Sequence, residues 1–195
     1  SIRINPNVNP NTHPFITTGQ KINKFGIEID KAYKLYLKSQ KFKNIELYGI
    51  DSHIGSQLTD LLPLSNSLKI TKEMILKLKK NGINLKAVDI GGGLGISYKD
   101  EKVPHPRDYA KLVKDILSDL NMTIIFEPGR VISATIGILC TKVLYTKKTA
   151  DKEFVIVDAG MNDFVRPSLY SAYQKIIHLK EDKSKSKMRA DIVGP

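Results

Sequence analysis

Glu127 and Arg130 lie in the sequence EPGR at the end of the apolar run MTIIFE (122–127), so one carboxylate and one guanidinium close a strand-like segment. A carboxylate there can meet a positive or protonated group of a ligand, and a guanidinium fork can take a carboxylate or a phosphate at two points. The competing reading is an internal ion pair between the two. Three more runs end in this way: SIRI (1–4) before NPN, IELYGID (45–51) before HIGSQ, and KAVDI (86–90) before GGGLGI. His53 can stack on a planar ligand or serve only as a hydrogen-bonded strand end, and Ser56 with its neighbouring backbone suits phosphate. The glycines at 91–93 let the backbone approach a ligand closely and turn N–H groups toward an anion. Their spacing is neither the dinucleotide fingerprint nor a Walker loop, since no Gly-Lys-Ser or Gly-Lys-Thr follows, and a plain tight turn is the alternative. Arg166 and Tyr170, four apart in DAGMNDFVRPSLY (158–170), share one side if that segment is helical, and form either a carboxylate clamp or a structural pair. No Ser-His-Asp or Cys-His nucleophile can be assembled, and no second His or Cys stands at zinc-ligand spacing from His53. His13, His105 and His178 read as surface or loop residues.

Positioning these groups requires a regular scaffold. The four runs recur at a period of roughly 40 residues, enough for a strand and a crossover helix, and in parallel βα arrays ligands gather at the carboxyl ends of the strands. The intervening segments have helical periodicity. Ile29, Ala32, Tyr33, Tyr36 and Leu37 form one apolar stripe; Leu64, Leu68, Thr71, Ile75 and Leu78 form a second, stopped by Asn81-Gly82. Tyr109, Leu112, Val113, Ile116, Leu117 and Leu120 form a third, with Pro106 suited to its first turn.

With 195 residues, 41% of them hydrophobic, the chain can bury a substantial core. No run is long enough to span a bilayer, no signal peptide is visible, and a single cysteine excludes a disulfide framework, so the expectation is a cytoplasmic protein. Cys140, in the apolar stretch GILCTKV, is expected to be buried. The net charge of +11 comes mostly from lysines on polar helix faces and in the segment 181–189, which reads as a solvated surface attractive to anions rather than a nucleic-acid groove. After about residue 135 the pattern changes to β: GILCTKVLYTKKT (137–149) and EFVIVDAG (153–160) read as antiparallel strands, 168–180 as a short helix or strand, and 188–195 as a strand. The fold class is therefore α/β. Residues 1–134 are expected to form the later part of a (β/α)8 TIM barrel, and 135–195 the start of a mostly antiparallel β domain.

Taken in order, RINPNVNPNTHPFITTG with KFGI, HIGSQ, VDIGGGLGISY, EPGR, VIVDAGMNDFVRPSLY and DIVGP resemble the pyridoxal-phosphate-dependent decarboxylases of the alanine racemase-like fold, and among them the diaminopimelate decarboxylases. The resemblance implies pyridoxal 5'-phosphate as cofactor. It also implies a carbon–carbon lyase converting meso-2,6-diaminopimelate to L-lysine and CO₂, the last step of lysine biosynthesis. On it, His53 stacks on the cofactor ring; Ser56, Gly92, Gly93, Pro128, Gly129 and the Arg130 backbone cradle the phosphate; and Glu127 pairs with the ring nitrogen. The side chains of Arg130, Arg166 and Tyr170 correspond to the clamp for the substrate's distal carboxylate, and Arg3 to a group near the ring hydroxyl. The family's Schiff-base lysine lies upstream of the residues present, so no lysine here is assigned that role. The family also continues past Gly194-Pro195 into a Cys-Glu segment that completes the partner's site in a homodimer. The chain is accordingly expected to be an internal piece of such an enzyme, without nucleic-acid or membrane partners and not catalytic alone. A related decarboxylase acting on a basic amino acid or carboxynorspermidine is the nearest alternative, and a non-catalytic pyridoxal-phosphate-binding homologue the next.

Overall fold

The computed structural model describes residues 1–9, 24–180 and 189–195. His13, most of the RINPNVNPNTHPFITTG motif and most of the lysine-rich segment at 181–189 lie outside them. The chain forms two compact units, one of residues 1–97 with 101–136 and one of residues 98–100 with 137–195.

The first unit is a parallel βα array. Its strands β1 (Ile2–Asn5), β2 (Ile27–Glu28), β3 (Gly49–Ser52), β4 (Ala87–Asp89) and β5 (Thr123–Ile125) stand in the order β2-β1-β3-β4-β5, every neighbouring pair parallel. The two-residue β2 escaped the sequence reading, being too short to show a period. Helices α1 (Ile29–Ser39), α2 (Leu62–Lys80) and α3 (Pro106–Leu117) make the crossovers. The expected stripes turn inward: Ala32 and Tyr36 on α1, Leu64, Leu68, Thr71, Ile75 and Leu78 on α2, and Tyr109, Val113 and Leu117 on α3 are buried. They join Ile4, Ile50 and Val88 from the strands in one core. Tyr36 also stitches α1 to the sheet, its hydroxyl donating to the Gly49 carbonyl at 2.7 Å and accepting from the Ile2 amide at 3.3 Å. Helix α2 ends before Gly82, whose φ of +79° continues past the stop. Pro106 opens α3 as expected, and His105 is its cap: Nδ1 accepts the Arg107 amide at 3.1 Å.

Alternation along the strands divides the sheet faces. Ile50, Val88 and Ile124 are register partners on the helix-covered face. The opposite face carries a charged row, since Arg3 pairs in register with Asp51, and Asp51 with Asp89.

The second unit contains β6 (Val143–Lys148), β7 (Glu153–Val157), the short helix α5 (Arg166–Tyr170) and β8 (Asp191–Val193). The four-residue connection 149–152 folds β6 back antiparallel on β7. The expected antiparallel pair is thus present, and β8 adds to β7 in parallel, which makes the sheet mixed. The reason is connection length: the chain between β7 and β8 is long enough to cross over, whereas a tight turn is not. Cys140 is exposed, contrary to expectation, because β6 starts only at Val143 and the apolar stretch before it lies outside the strand. No helix among the described residues is long and apolar enough to cross a membrane.

Candidate active site

At the carboxyl ends of β3, β4 and β5 the chain brings together HIGSQ, GGGLGI and EPGR, as their positions predicted. Two residues beyond the charged row come His53, Gly91 and Glu127. Gly91, with no side chain, lets the backbone after β4 pack closely against the end of β3. A Cβ there would sit 2.6 Å from the Ser52 carbonyl oxygen and 2.9 Å from His53 Nδ1. The next two glycines meet backbone instead: a Cβ on Gly92 would overlap the Glu127 carbonyl, and one on Gly93 the Gly55 carbonyl. The triple glycine thus serves first to let three strand ends converge.

The amides of the turn are divided in use. Gly91 N–H donates to Asp89 Oδ1 at 2.9 Å, and Gly92 N–H to His53 Nδ1 at 3.2 Å. Neither is left for a ligand's anion, whereas the Gly93 amide meets no acceptor among the described residues. The turn is held to the neighbouring loop by Leu58, whose amide donates to the Gly93 carbonyl and whose carbonyl accepts from Gly95, each at 2.9 Å. Gln57 completes that zipper. Its side chain donates to the Ile96 carbonyl at 2.5 Å and accepts from the Ile96 amide at 3.2 Å, from a backbone at φ +60°.

His53 is half-buried, and burial, then the nearby Arg3 guanidinium, hold its imidazole below the usual range against the opposing pull of Glu127 and Asp89. Since Nδ1 accepts a hydrogen bond, the neutral ring carries its proton on Nε2. Arg3 also reaches this group: its Nη2 donates to the His53 carbonyl at 3.4 Å and its Nε stands 3.9 Å from Asp51. Asp51 is raised by burial, with Asp89 and Glu127 adding to the rise and Arg3 opposing it. Asp51 and Asp89 were absent from the sequence reading; only the register, which lines them up with Arg3, marks them.

Arg130 begins the four-residue helix α4 (Arg130–Ser133), and its Nη2 donates to Ser56 Oγ at 3.3 Å, joining EPGR to HIGSQ. Around Gly129 a Cβ would meet nothing within 4 Å, so that side of the turn is open. A carboxylate, a neutral imidazole, an open turn at Gly129, and a hydroxyl beside a guanidinium suit a flat heteroaromatic cation bearing an anionic tail. No group of His, Cys, Asp and Glu that could hold a metal ion occurs among the described residues.

In the second unit Arg166 opens α5, with Pro167 in its first turn, and its guanidinium carbon lies 5.5 Å from the Tyr170 ring centroid. The two expected partners are therefore together. A second ring, Tyr98, lies 5.9 Å from the same carbon and was not anticipated.

Residues 1–134 match the model of the pyridoxal-dependent decarboxylase family, pyridoxal binding domain. The chain belongs to the pyridoxal-dependent decarboxylases. Over its whole length it is 48% identical to the diaminopimelate decarboxylase of Aquifex aeolicus and 45% identical to that of Haemophilus influenzae. It covers 46% and 47% of those two proteins, and so spans about half the length of the curated relatives it matches. The crystal structure of diaminopimelate decarboxylase from Helicobacter pylori complexed with L-lysine superposes with a TM-score of 0.93 at 44% identity, covering 99% of this chain and 48% of that one. The fold is that of part of an α/β barrel followed by a mixed β sheet.

Proposed function

We propose that the full-length protein decarboxylates meso-2,6-diaminopimelate to L-lysine and CO₂ with pyridoxal 5'-phosphate. The observation that carries this reading is the conjunction of whole-chain identity to diaminopimelate decarboxylases with His53, Gly91 and Glu127 standing together at one strand-end rim. When bound, pyridoxal phosphate supplies the electron sink that accepts the pair released as the α-carboxylate departs.

The chain's own residues do the rest. Glu127 would pair with the ring nitrogen and keep it protonated, and the His53 imidazole, held by the Gly92 amide, would stack on the ring. Ser56, the Gly93 amide, the Pro128-Gly129 turn and the Arg130 backbone would hold the phosphate; Gly92 would act through His53 rather than by its own amide. Arg130, Arg166 and Tyr170 take the substrate's distal carboxylate, where a planar fork fixes orientation as well as charge. Residues 1–134 form the cofactor-binding part and 135–195 part of a β domain. The same reading makes the protein a cytoplasmic homodimer with shared sites, which sedimentation of the full-length protein checks.

A substrate panel on the full-length, cofactor-loaded protein tests the assignment. Diaminopimelate should be turned over at least 100-fold more efficiently than ornithine, arginine or carboxynorspermidine, because a site built to hydrogen-bond one group rejects a substrate lacking it. Comparable turnover of ornithine or arginine would replace diaminopimelate as the substrate.

A further inference from the structure

We propose that Tyr98 is a positioning residue for substrate recognition, setting the orientation of the Arg166 guanidinium that receives the distal carboxylate. The proposal deepens the function above and rests on Arg166 having that role. Three observations support it. Helix α5 spans only Arg166–Tyr170 and ends at Ser171 in the left-handed region (φ +48°), so one turn of helix carries the arginine. A single turn is a weak anchor, since helix formation gains little until several turns are in place. The guanidinium therefore depends on side-chain neighbours, and two aromatic rings supply them: Tyr170 at 5.5 Å from its own helix and Tyr98 at 5.9 Å from a distant segment. Finally, that segment is itself fastened to the second unit. Residues 98–100 group with it, and the Lys99 ammonium lies 5.7 Å from the Tyr173 ring centroid.

The physics favours arginine against a tyrosine face. A guanidinium is planar, weakly hydrated and always charged, so it gains from a π face while its in-plane N–H groups stay directed at a carboxylate.

The test uses L-lysine and 1,5-diaminopentane as probes on the full-length protein. L-Lysine keeps the carboxylate of the non-reacting end, and diaminopentane lacks it. Wild type should bind lysine the more tightly. Tyr98→Leu and Tyr98→Met should each weaken lysine roughly 3- to 10-fold, the size of one partly exposed cation–π contact, with diaminopentane and pyridoxal phosphate affinities unchanged. Tyr98→Phe, which keeps the ring, should bind lysine like wild type. Lysine affinity unchanged in the Leu and Met variants, or a loss in Tyr98→Phe equal to theirs, would overturn the role of the ring. Equal wild-type affinity for both probes would instead remove the carboxylate clamp on which the proposal rests.

Discussion

His53 accepts the Gly92 amide on Nδ1 at 3.2 Å, a bond that ties the end of β3 to the glycine turn after β4 and fixes which nitrogen of the ring is protonated. Burial and Arg3 lower its pKa beneath the usual 6.5. A group whose folded-state pKa is depressed adds stability above its unfolded value, and that contribution is lost as pH falls through the folded one. Wild type should therefore lose thermal stability relative to His53→Gln between pH 7 and pH 5, because glutamine can accept the same amide without titrating. Parallel melting curves for the two proteins across that range would show that the imidazole does not hold the turn.

Asp51 has the opposite sign. Its carboxyl is raised by burial and by neighbouring carboxylates, so its charge opposes folding once pH exceeds its folded pKa. Asp51→Asn should raise the melting temperature at pH 7, and the gain should shrink toward pH 3. A charge kept at such a cost points to function, and catalysis by the variant should fall as stability rises.

Gly92 and Gly129 make a contrast. A methyl group on Gly92 would overlap the Glu127 carbonyl, and one on Gly129 would meet nothing within 4 Å. Gly92→Ala should cost about 1–3 kcal/mol in denaturant unfolding, as overpacking does, and Gly129→Ala under about 1 kcal/mol. If Gly129→Ala still weakens pyridoxal phosphate binding, the added methyl has intruded on the ligand rather than on the fold.

Gln57 sits at φ +60° while its amide bonds both backbone groups of Ile96. Gln57→Ala should cost about 1–2 kcal/mol, losing the clamp while retaining the left-handed backbone. Gln57→Gly should be the more stable of the two, since glycine relieves that backbone strain. Faster hydrogen exchange at the Ile96 amide in both variants would report the opened zipper.

The sequence disclosed the crossover helices and the rim motifs because each is local: a period of apolar residues, or a polar cluster after a β run. What it hid depends on registration between distant segments. Asp51 and Asp89 join Arg3 only through strand pairing, and Tyr98 meets Arg166 only once residues 98–100 group with the later β structure. The direction of β8 was hidden for a related reason, as it depends on where its connection crosses, which no local pattern encodes. Cys140 was judged from apolar neighbours that are themselves exposed. The glycine turn was legible as a close approach, but not that its first two amides serve Asp89 and His53.

The most direct measurement is the release of CO₂ and L-lysine from meso-diaminopimelate by the full-length, pyridoxal-phosphate-loaded protein and its Glu127→Ala variant. Wild type should form the two products one to one. The variant should bind substrate comparably while kcat falls about 100-fold, the scale on which one preorganised charge contact acts in a transition state. No lysine from the loaded wild type, or an undiminished kcat without Glu127, would contradict the account.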